Sequence, residues 1–193
     1  MENKINTEMT DKLCQLNQHE KRHPIETLHK LFSKNSPSSI KDRLWDWYTY
    51  VITSTITISD PLAIIELKKM LTTFIETAWL LNEAGAQQAV DTEDLAMEVL
   101  SHPSYWPRYR LMASDFHNPI SFFSDFFSFF EVAECHNLLE KWLCYAISFE
   151  AIGSESMGDN SLFLDFLQRL IDILYLIKRR AIDEFIVYKE KFT

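Results

Sequence analysis

Apolar residues recur at three- and four-residue spacing through three long stretches of the chain, the period of helices that turn one face to a core. Residues 61–84 show it most plainly. Ile64, Leu67, Leu71, Phe74, Ala78 and Leu81 share one face, opposite Glu66, Lys69, Thr73 and Glu76. Asp60 is placed to cap this helix, and Pro61 stands at the first helical position, where a missing N–H leaves no bond unmade. Residues 131–150 repeat the pattern with Val132, Cys135, Leu139, Trp142, Ala146 and Phe149. Residues 161–190, opened by Asn160 or Ser161, are apolar on two faces. One carries Phe163, Leu167, Leu170, Leu174, Ile177 and Ala181; the other carries Leu162, Phe166, Ile173 and Leu176. A helix apolar on two sides has neighbours on both, so this one is expected near the centre of a bundle.

Shorter periodic stretches predict helices near 4–22, 25–34, 38–53, 91–101 and 119–130. Ser39-x-x-Asp42 and Asp91-x-x-Asp94 have the form of capping arrangements at two of these starts. Residues 50–58 are rich in β-branched side chains and are expected to become extended at their end. One such segment makes no sheet. Residues 102–119 contain Pro103, Pro107 and Pro119 and read as short turns. No repeat, low-complexity tract or linker divides the chain. The expectation is an all-α fold: a single domain over residues 1–193, an irregular bundle of about seven or eight helices around a long central C-terminal one.

Composition supports this reading and removes several function classes. The 193 residues include three glycines, Gly85, Gly153 and Gly158. Closed barrels, sandwiches and phosphate-cradling loops use glycine in their tight turns, so a chain this poor in it is a weak candidate for any of them. Lys and Arg number 19 against 28 Asp and Glu, for a net charge of −9. Residues 91–160 alone hold 12 acidic and three basic groups, equal to the whole deficit. An acidic surface repels phosphate backbones, so neither nucleic acid nor an anionic membrane is an expected partner. A basic protein is, with Glu93, Asp94 and Glu98 the candidate docking residues. The other reading of the acidic stretch is a solvated surface that keeps the protein soluble. Residues 1–6 contain no apolar signal core, and no apolar run approaches a membrane span. Cys14, Cys135 and Cys144 form no C-x-x-C pair. Reduced thiols and a cytoplasmic location are expected.

Four constellations could carry chemistry. His19-Glu20-Lys21-Arg22-His23, followed by His29, resembles the H-E-x-x-H zinc motif of the metzincin proteases over eleven residues. That resemblance implies three histidine ligands and a glutamate that activates water; the chain departs from it at Glu26, where the family has glycine. Pro24 also pushes His23 out of helical geometry. Glu26-x-x-His29 is similar to one half of a ferritin-like di-iron site, and no second E-x-x-H exists in the chain. His136, Glu140 and Cys144 follow one another at helical turns, read as a metal set or as a surface ion pair beside the core edge. Arg110 and His117 loosely resemble the R-x(4–6)-H signature of HEPN-type helical ribonucleases, although Leu111 stands where that family has a polar residue. No serine sits in a glycine-flanked nucleophile elbow. No metal, cofactor or catalytic residue is expected from these patterns.

Seven of the fourteen phenylalanines fall within residues 116–130. Phe122, Phe123, Phe126, Phe127 and Phe130 leave only a narrow polar stripe of Ser121, Ser124, Asp125 and Ser128. Such a helix is a buried element, a subunit interface that makes a homodimer, or a wall of an apolar pocket. Lys178-Arg179-Arg180 marks where the last helix leaves the core or pairs with the acidic segment. The function expected is that of a non-catalytic interaction or regulatory protein, one form being an acidic inhibitor or immunity-type partner of a basic protein. The alternative is a helical-bundle enzyme or sensor using a metal or a small apolar ligand.

Overall fold

The computed structural model describes residues 15–53, 60–83, 111–112, 114–115, 118–148, 151–153 and 157–191, the last eleven of these through their backbone alone. Among the described residues there are seven helices and no strand. In chain order they are α1 (Gln18–Arg22), α2 (Pro24–Lys34), α3 (Pro37–Ile52), α4 (Pro61–Glu83), α5 (Ser121–Phe129), α6 (Val132–Ser148) and α7 (Met157–Lys191). The all-α expectation holds, as does the long central C-terminal helix.

Local sequence sets where these helices begin. Asn17 caps α1 by accepting from the amides of His19 and Glu20, and Glu20 returns the bond to the Asn17 amide. His23 has φ −129° and ψ 62°, so α1 stops there and Pro24 starts α2. The cap of α3 is Ser36, whose hydroxyl accepts from Ser39 N at 3.2 Å ahead of Pro37; the Ser39–Asp42 arrangement read in the sequence lies one turn too late. Asp60 caps α4 through Ala63 N at 3.1 Å, as its position suggested. The last helix opens at Met157, before Asn160 and Ser161.

α4 and α7 are the two central helices. α4 packs against α2, α3, α5, α6 and α7, and α7 against α2, α3, α4 and α5. All six apolar positions predicted for α4 are buried. Trp142 of α6 sits edge-on to Trp47 of α3 and to Phe163 of α7, with ring centroids 5.8 and 5.5 Å apart. Phe32 of α2 stacks on Phe74 of α4 at 5.0 Å. Such pairs add about 0.5–1.5 kcal/mol each beyond the area they bury.

Several charged groups inside the bundle are paired, whereas the buried Trp47 Nε1 has no hydrogen-bond partner among the described residues. The α3–α7 contact holds Lys41 Nζ 2.7 and 2.9 Å from the two carboxylate oxygens of Asp172, which has no solvent exposure. Asp115 is buried and takes two bonds from the Arg169 guanidinium, which also lies over the Phe122 ring. Glu76 corrects the sequence reading. It was expected on the polar face of α4, yet it is fully buried and accepts from the amides of Gln15 and Leu16. No helix among the described residues is long and apolar enough to cross a membrane.

Candidate functional site

The residues singled out by sequence scatter over the fold. His19 and His23 bring their rings to 4.7 Å, edge to face, at the surface. His29 lies on α2, where burial and nearby Lys178 lower its pKa. His136, Glu140 and Cys144 do not converge either. His136 turns to Glu76 at 3.5 Å, with burial holding its pKa below the usual range. Glu140 pairs with Lys68 of α4. Among the described residues no group of three His, Cys, Asp or Glu side chains is placed to hold a metal ion. Cys135 is buried and its thiol pKa is pushed up by that burial. Arg110, His117 and Cys14 lie outside the described residues, as do Glu93, Asp94 and Glu98.

The phenylalanine helix is core. Phe122, Phe123, Phe126 and Phe130 are buried and Phe127 is half-buried. Phe166 of α7 covers three of them, with ring centroids 5.7–5.9 Å from those of Phe122, Phe126 and Phe130. The ring faces that sequence offered to a subunit interface are therefore taken up within the chain. Phe129 is the exception, 60% exposed.

Phe129 stands at one wall of a groove of about 980 Å³ between α5, α6 and the first turn of α7. The floor is the flank of α6 about a third of a turn round from its buried Cys135–Leu139–Trp142–Ala146 stripe. Glu134, Leu138, Lys141, Tyr145 and Ser148 follow one another there at helical spacing, with Cys144 beside them. Ile152, Asp159 and Leu162 close the far side, Leu162 being 41% exposed. Asn160 fixes that wall: its side-chain oxygen accepts from Trp142 Nε1 at 2.5 Å, binding the first turn of α7 to α6. Cys144 is an exposed free thiol in the groove.

Charge and apolar surface meet here. Asp125, Glu131, Glu134, Glu140 and Asp159 of the acidic stretch are exposed, against Lys141. Glu140 pairs with Lys68, while Glu134 and Asp159 line the groove together with Lys141. The sequence signal for this site is the apolar pair Leu138 and Tyr145, half-buried at the edge of the core face of α6. The opposing wall, Phe129 and Leu162, comes from elsewhere in the chain. No protein-family model matches this chain, no curated protein does, and no solved structure does.

Proposed function

We propose that the protein works by binding a basic protein partner without catalysis, and that the α5–α6–α7 groove is where the partner docks. One observation carries this reading: exposed Phe129 and Leu162 and half-buried Leu138 and Tyr145 lie in a concave site rimmed by Glu134 and Asp159. Apolar surface in a concavity supplies affinity on desolvation, and like-signed carboxylates around it select the charge of the guest and speed its approach. An acidic inhibitor of a basic protein is one form such a binder takes.

The test uses the intact chain as bait in an extract of its source cells, beside a Glu134→Lys/Asp159→Lys variant. The wild type should retain a protein of pI above about 9. The double reversal should weaken that complex about tenfold, equivalent to about 1.4 kcal/mol. Rising salt should release it, because the screening length contracts from about 30 Å at 0.01 M to about 3 Å at 1 M. Equal retention by bait and variant, or retention that ignores salt, refutes the reading.

A further inference from the structure

We infer that the part of the partner received by the groove is an amphipathic α-helix, basic along its flanks and laid along α6. The inference rests on the docking reading above and specifies the shape of the guest. Its first support is the nature of the walls. They are helix flanks, whose main-chain N–H and C=O groups are already engaged in their own ladders. An extended guest draws affinity from main-chain bonds to an exposed sheet edge, and no strand occurs among the described residues. A guest seated against side chains alone must satisfy its own backbone, which a helix does.

Dimensions give the second support. From Glu134 to Ser148 the floor runs for about 14 residues of helical rise, about 21 Å. That is about four turns of a guest helix, and the groove is open to solvent along one side, so such a guest keeps one face in the groove and the other in water. That is the placement an amphipathic helix requires.

Chemistry gives the third. Phe129, Leu138, Tyr145 and Leu162 suit apolar anchors recurring at i, i+3 or i+4, and i+7 on the guest. Glu134 and Asp159 suit Lys or Arg flanking that stripe. Lys141 favours a neutral or acidic residue at one position between them.

Three synthetic 15-residue peptides separate the outcomes in calorimetric titrations against the intact protein. The first has leucines at helical spacing and lysines elsewhere. The second has the same composition in strict alternation, and the third keeps the helical pattern with glutamine for lysine. The first should bind at least tenfold more tightly than either other. It should lose at least tenfold on a Phe129→Ser/Leu162→Ser variant, whose side chains are exposed and whose circular dichroism should be unchanged. Equal or tighter binding of the alternating peptide overturns the helical guest and leaves basic docking standing. Failure of both lysine peptides to exceed the glutamine one removes the docking reading as well. Undiminished binding to the Phe129/Leu162 variant places the guest elsewhere and also overturns the inference.

Discussion

Phe126→Asp should leave no folded protein at 25 °C, and Phe126→Ala should lose about 3–5 kcal/mol in denaturant unfolding. The ring has no solvent exposure and lies among Phe122, Phe127, Phe130 and Phe166, their centroids 5.0 to 6.0 Å away. Removing it opens a cavity walled by rigid rings that cannot easily collapse into it. Placing a carboxylate there adds the cost of burying a charge among aromatic rings. Domains of this kind have about 5–15 kcal/mol of stability in all. Phe129→Asp, about five-sixths of a turn further along the same helix, changes an exposed ring and should leave the melting temperature within a few degrees of wild type. A folded, monomeric Phe126→Asp protein derived from a dimeric wild type would restore the subunit-interface reading of this helix.

The second large effect is expected at the α3–α7 contact. Lys41→Met should destabilise by about 3–5 kcal/mol, because it removes the ammonium held against both oxygens of a carboxylate cut off from water. Lys41→Met/Asp172→Leu should recover most of that loss, since an apolar pair of similar volume needs no desolvation of charge. Paired denaturation curves read both values. A single mutant as stable as wild type, or a double mutant no better than the single, would show that the pair is not what holds the two helices at this point.

The legible part of this fold was its periodicity. α4 carries its six apolar positions on one face over 23 residues, and packing had only to bury what was already sorted. The break between His23 and Pro24 was legible because it is steric and local. Glu76 was not. A glutamate in an amphipathic helix reads as a solvated position, and the groups that meet it in the interior, the Gln15 and Leu16 amides and His136, come from about sixty residues away. Asn160 was read as a cap, but its partner is an indole on another helix. The phenylalanine run announced a large apolar surface without naming what covers it, and Phe166 lies a full helix later. The acidic stretch was visible as charge, whereas the groove is made by three elements meeting in space, and the Leu138–Tyr145 pair is its one mark along the sequence.

The central claim is that the partner sits in the α6 groove, and the thiol of Cys144 is placed to report on it. Alkylation of that thiol can be followed residue by residue in the intact protein by mass spectrometry, free and saturated with the captured basic partner. Cys135, buried and with a raised thiol pKa, should stay unmodified in both and so monitor folding. Occupation of the groove predicts at least a tenfold slower modification of Cys144 in the complex. A rate at Cys144 unchanged by bound partner would contradict it.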